Sequence, residues 1–253
     1  MPSTKIEFSG SLGVKLAAIL DEPETQTRAY AMFAHCFTCS KDVLAASRIS
    51  RALAKLGIGT FRFDFTGLGK SEGEFSDTTF SSNIGDLIAG AQWMRENRKA
   101  PCILIGHSLG GAAVLAAASS IPECTAIATI GAPSDPEHVT HLFDSASTEI
   151  EREGKAEVSI GGRSLTVGKD LVEDLRDHDP QSQIASLNRA LLVFHSPVDQ
   201  IVGIENAAQI YSWAKHPKSF VSLDNADHML TKPKDADFVA NMLSTWVDRY
   251  AVS

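Results

Sequence analysis

Cys102-Ile103-Leu104-Ile105-Gly106-His107-Ser108-Leu109-Gly110-Gly111-Ala112-Ala113 decides the fold of this 253-residue chain. Its apolar start reads as a short buried strand over 102–105. Its small residues open an Ala-rich helix over 109–120, which Pro122 ends. Between the two, Gly106-x-Ser108-x-Gly110 marks a sharp strand-to-helix turn. A serine there is strained, with its hydroxyl thrust above the sheet. Gly106 and Gly110 lack the side chains that would collide with neighbouring strand and helix. The bare pattern is common, and its context gives it weight. The competing reading is a tight turn with an inert serine.

Outward from this turn, short apolar runs alternate with helical patterns. That is the signature of an α/β class protein with a mostly parallel sheet covered on both faces. Strands are expected over 5–9, 14–20, 29–34, 58–63, 102–105, 125–130, 190–195 and 219–223, eight in all. Helices are expected over 43–56, 80–96, 109–120, 204–213 and 235–250. Residues 133–188 break the rhythm with a polar, charged block. A helix over 137–153, strands 157–160 and 164–167 flanking Gly161-Gly162, and a helix over 170–176 suggest an inserted cap. The expected organisation is a core of 1–132 and 189–253 with a cap of 133–188.

The composition suits one large domain: 43% hydrophobic and 21% charged residues, with a net charge of −8. An acidic chain without a basic run has no electrostatic reason to bind nucleic acid or anionic membrane. Leu12 to Leu20 is interrupted by Lys15, and no stretch reaches the ~18 apolar residues of a membrane span. A cytoplasmic protein is expected. Cys36, Cys39, Cys102 and Cys124 are irregularly spaced, so reduced thiols are expected.

A serine hydroxyl is a weak nucleophile. It needs a base, oriented in turn by an acid. The expected chain order is serine, acid, histidine. His216 and His228 follow the cap. His228 comes after the last strand, at the carboxyl end of the sheet where a base can reach Ser108; His216 precedes that strand. Asp199 follows the previous strand and is the expected acid, with Asp224 as the alternative. Asp224 and Asp227 also suit shaping of the turn. Two backbone N–H groups are expected to hold the oxyanion: Leu109, after the serine, and Phe37, in the loop after the third strand.

Other motifs compete. Cys36-Phe37-Thr38-Cys39 also fits a redox dithiol or half a metal site. His138 and His141 could hold a metal, though a solvated helix face explains them better. The loop from Asp64 to Gly69 is Gly-rich but lacks the lysine of a phosphate loop. Trp93 and Trp246 read as core.

Residues 106–111 (GHSLGG), 195–203 (HSPVDQIVG) and the late ADH at 226–228 resemble the α/β-hydrolase superfamily over essentially the whole chain. Residues 34–42, 61–73, 130–139 and 215–230 look more specifically like the hydrolase portion of bacterial proteins fused to an OsmC-like domain. The resemblance implies an α/β-hydrolase fold and a serine carboxylesterase-like activity, with Ser108, Asp199 and His228 as the triad. No metal or organic cofactor is expected. The expected ligand is a small ester with a short acyl chain, bound partly by the cap. An OsmC-like domain or partner and self-association are further partner expectations. A thioesterase with the same triad, or a docking module with a vestigial site, are the alternatives. Cys36 stands where many relatives have glycine, and it restricts the backbone beside Phe37.

Overall fold

The computed structural model describes residues 2–160 and 162–251. The chain opens with the antiparallel pair β1 (Ser3–Ser9) and β2 (Lys15–Asp21). Strand and helix then alternate through β3 (Ala29–Ala34), α1 (Leu44–Lys55), β4 (Ile58–Phe63), α2 (Phe80–Asn97), β5 (Ile103–His107), α3 (Leu109–Ala117) and β6 (Ala126–Ile130). The insertion follows: 3-10 turns over Pro136–Ala146, α4 (Ser147–Glu153), the hairpin β7 (Lys155–Ile160) and β8 (Arg163–Gly168), α5 (Lys169–Arg176) and α6 (Pro180–Ala185). Alternation resumes with β9 (Ala190–His195), α7 (Glu205–Trp213), β10 (Lys218–Ser222) and α8 (Pro233–Val247).

The eight-stranded sheet runs in the order β1-β2-β4-β3-β5-β6-β9-β10. Its first two pairings, β1 with β2 and β2 with β4, are antiparallel; from β4 to β10 all are parallel. Side chains divide with the period of two that a strand imposes. Ala31, Phe33, Ile105, Ala128 and Leu192 face a layer built from Ile49 and Leu53 of α1 and Val239 and Leu243 of α8. Met32, Leu104, Ile127 and Leu191 face the opposite layer, which holds Leu87 and Met94 of α2, Val114 of α3 and Ile210 of α7. In α1 the buried Ala45, Ala46, Ile49, Ser50, Leu53 and Ala54 form one stripe at helical spacing. Helix α2 starts on a capping box: Ser82 N–H donates to Thr79 Oγ1 at 3.0 Å, and Thr79 N–H to Ser82 Oγ at 2.9 Å.

Two local expectations need correction. The pattern over 137–153 predicts one helix, but 3-10 turns run to Ala146 before α4 begins. Phe143 departs from helical geometry at φ −130° and is buried, so inward packing of its ring overrides helix continuation. Helix α6 was not legible as a helix; Asp179 caps it by accepting Ser182 N–H at 3.1 Å, and Pro180 begins it. The hairpin turn expected at Gly161-Gly162 has Gly161 outside the described residues. Among the described residues the insertion has no separate core: Val139, Phe143, Ile150, Val158, Leu171 and Leu175 pack into the same cluster as α2 and α3.

Candidate active site

Strand β5 delivers Ser108 at its carboxyl end. Ser108 sits at φ 56°, ψ −128°, a conformation that costs a non-glycine residue about 1–3 kcal/mol. The strain is held from both sides: Ser108 N–H donates to Ile130 O at 2.9 Å, and Gly111 N–H donates to Ser108 O at 2.8 Å. The two motif glycines are steric necessities. A Cβ on Gly106 would lie 2.2 Å from Gly110 O, and one on Gly110 would lie 2.5 Å from Ala34 O.

The turn after β9 carries Asp199. Its Oδ1 accepts N–H bonds from Ile201 at 2.8 Å and Val202 at 3.0 Å. Its Oδ2 lies 2.8 Å from His228 Nδ1, in the loop after β10. Burial pushes the Asp199 carboxyl up, but hydrogen bonds from His228, Val202 and Ile201 outweigh it and hold it below its ordinary range. Gly131, at φ +55°, leaves room for this pair: a Cβ there would stand 3.3 Å from both Asp199 Oδ2 and His228 Nδ1. Asp224 is bonded to the Ser222 hydroxyl instead, and Asp227 accepts Thr231 N–H at 3.1 Å, so both shape their own turn.

Ser108 and His228 line one mainly apolar cavity of about 550 Å³. Phe37, Val139, Leu142, Ile160, Ile201 and Met229 supply much of its wall, so the insertion furnishes part of it. His138 and His141 also line it, and Arg163 donates to Thr38 O at 3.0 Å on its rim. Among the described residues no group of three or more His, Cys, Asp or Glu side chains is arranged to hold a metal ion.

The loop after β3 holds Phe37. Contrary to the expectation of reduced thiols, Cys36 and Cys39 are joined by a disulfide, while Cys102 and Cys124 are free. The cause is local: Cys39 N–H donates to Cys36 O at 3.1 Å, and this turn brings the two Cα atoms within 5.4 Å. Beneath the loop, Lys41 Nζ donates to Asp64 Oδ2 at 2.6 Å, and Arg62 donates to Lys41 O at 2.6 Å and Asp21 Oδ2 at 2.8 Å. The Gly-rich segment from Asp64 therefore anchors this loop. Among the described residues neither Phe37 nor Leu109 offers its N–H to a main-chain acceptor. Leu109 opens α3, where an N–H has no partner in its own helix.

Sequence reasoning overlooked three buried histidines around the site, His35, His107 and His195. Their signal is visible in hindsight, because each stands at or just after the end of an apolar strand run.

A family model described as serine aminopeptidase, S33, matches residues 25–150. The esterase domain of a Rhodothermus marinus protein is 48% identical and superposes with a TM-score of 0.81, covering 99% of both chains. The palmitoyl-protein thioesterase ABHD10 of Rattus norvegicus is 24% identical over 212 residues, 81% of this chain and 70% of that protein. Protein YfhR of Salmonella typhi is 24% identical over 178 residues; the match spans 70% of this chain but only 57% of YfhR. Est1E of Butyrivibrio proteoclasticus, at 19% identity and a TM-score of 0.80 over 96% of this chain and 98% of its own, shares the fold. With near-complete coverage at 48% identity, over the parallel sheet and serine turn described above, the chain belongs to the α/β hydrolases.

Proposed function

We propose that this chain is a serine carboxylesterase that cleaves small, short-acyl esters through an acyl-enzyme on Ser108. One observation carries the reading: His228, held by Asp199 at 2.8 Å, lines the same cavity as the strained Ser108. The Asp199 carboxylate takes the Nδ1 proton of His228 as its donor, which leaves Nε2 bare. That nitrogen accepts the Ser108 proton as Oγ attacks the ester carbonyl. The N–H groups of Leu109 and Phe37 receive the oxyanion. The imidazolium returns its proton to the departing alcohol. Water then enters, gives a proton to Nε2 and attacks the acyl carbonyl; the C–Oγ bond breaks, the acid leaves, and Nε2 returns that proton to Ser108 Oγ.

The apolar cavity wall suits the acyl or alcohol portion of such an ester. The likeness to palmitoyl-protein thioesterases favours a second reading, thioester cleavage by the same residues. Matched ester and thioester substrates differing only in the leaving atom separate the two by their kcat/KM ratio. The enzyme reading itself is tested with a fluorophosphonate probe. Folded wild type should label at Ser108 and lose its esterase activity in step, and Ser108→Ala should do neither. Absence of labelling on folded wild type would sink it.

A further inference from the structure

His35, His107 and His195 share a pattern. Each imidazole donates a hydrogen bond to a main-chain carbonyl in a loop of the site. His35 Nδ1 reaches Cys36 O at 2.8 Å, His107 Nε2 reaches His228 O at 2.7 Å, and His195 Nε2 reaches Val202 O at 2.8 Å. These loops carry Phe37, His228 and Asp199 respectively. We propose that His107 is a positioning residue whose Nε2–H fixes the His228 loop over the Ser108 turn. The inference rests on the reading of Ser108, Asp199 and His228 given above.

The bond's placement is its first support. His107 is the residue before Ser108, so its ring links the serine turn to the histidine loop without engaging either reactive atom. His228 makes two hydrogen bonds among the described residues: Nδ1 to Asp199, and its own carbonyl oxygen to His107. One orients the ring and the other anchors the main chain beneath it. The direction is unambiguous, since a carbonyl only accepts and Nε2 must carry the hydrogen.

The second support is what the imidazole forgoes. His107 is fully buried, and its Nδ1 has no hydrogen-bond partner among the described residues. A buried acceptor without a partner is destabilising, and an apolar side chain would avoid that penalty. The single bond to His228 O is therefore what histidine supplies here. Burial, and then the His228 imidazole whose ring centroid is 5.0 Å away, push His107 down to about 3. A neutral ring holds the loop without placing a second cation beside the base.

The test compares His107→Phe, which fills the site without a donor, with His107→Gln, whose amide N–H has similar reach. Active sites are counted by exhaustive fluorophosphonate labelling, and kcat and KM are measured per labelled site alongside thermal stability. The expected result for His107→Phe is a fall in kcat of about 10–100-fold with KM nearly unchanged, the effect of misplacing a catalytic group by a fraction of an ångström. His107→Gln should recover most of that loss. If His107→Phe keeps wild-type kcat per labelled site, whatever its melting temperature, the proposal is overturned. It is equally overturned if His107→Gln is as impaired as His107→Phe. Should His107→Phe fail to fold, His107→Met against His107→Gln makes the same comparison. Wild type that does not label would overturn the functional reading itself; wild type that labels, with His107→Phe its equal, overturns only the positioning role.

Discussion

Asp199→Asn separates the orientation of His228 from mere occupancy of the acid's place. The carboxylate uses both oxygens: Oδ1 on two main-chain N–H groups at 2.8 and 3.0 Å, Oδ2 on His228 Nδ1 at 2.8 Å. Asparagine has the same shape. Its carbonyl must stay on the two N–H groups, because the flipped amide would point N–H at N–H. The NH2 then faces His228 Nδ1, which has to accept, and the ring proton moves to Nε2. On the proposed mechanism, that is the nitrogen required to be bare. The expected fall in kcat is about 10³–10⁴-fold, or about 4–5.5 kcal/mol of barrier. Stability should change little, since each hydrogen bond keeps a counterpart and only its charge assistance is lost. A fall in melting temperature of less than about 5 °C is expected. The assay is ester hydrolysis per labelled site, read beside a thermal melt and beside Asp224→Asn as control. Asp199→Asn within about tenfold of wild type, with Asp224→Asn inactive, would refute the assignment.

The neutral His107 has a consequence for acid stability. Its folded value of about 3 lies below the ordinary 6.5, so within that window the unfolded chain binds a proton that the folded chain does not. Stability must therefore rise with pH across the window and be lost as pH falls from 6.5 towards 3. Urea unfolding of His107→Phe at several pH values should show a slope shallower than wild type by up to one proton, about 1.4 kcal/mol per pH unit; identical slopes would contradict it. Gly131→Ala places a Cβ 3.3 Å from both Asp199 Oδ2 and His228 Nδ1 on a residue at φ +55°. A stability loss of about 1–2 kcal/mol and a kcat loss of about tenfold are expected, read from a thermal melt and from steady-state kinetics; unaltered kcat would show that the pair is not confined by Gly131.

The sheet was legible because its central strands are nearly continuous apolar runs between helical patterns, and parallel strands buried on both faces leave that trace. Ser108 was legible because two steric collisions, at Gly106 and Gly110, restrict the residues a strand-to-helix turn can hold. Asp199 and His228 followed from their positions after successive strands. Much of what the sequence hid depends on contacts between distant segments. The break at Phe143 reflects packing against the common core rather than local helix preference. The Cys36–Cys39 bond is local instead: the C-x-x-C pattern also fits a dithiol, and a tight turn rather than the overall cysteine spacing joins the pair. The role of Asp64 was invisible because its partner Lys41 lies 23 residues earlier.

The three strand-end histidines grip main-chain oxygens: those of Cys36, Val202 and His228. A carbonyl oxygen is present whatever side chain its residue bears. The residues beside those oxygens, Phe37, Ile201 and Met229, line the cavity. Cys36, Val202 and His228 line the same cavity, whereas the three gripping imidazoles do not. On the proposed function, the imidazole grip on main-chain oxygens leaves side chains of the neighbouring loop residues to meet the substrate. Selectivity in such an arrangement can drift by single substitutions at Phe37, Ile201 or Met229 while the chemistry beneath stays as it is.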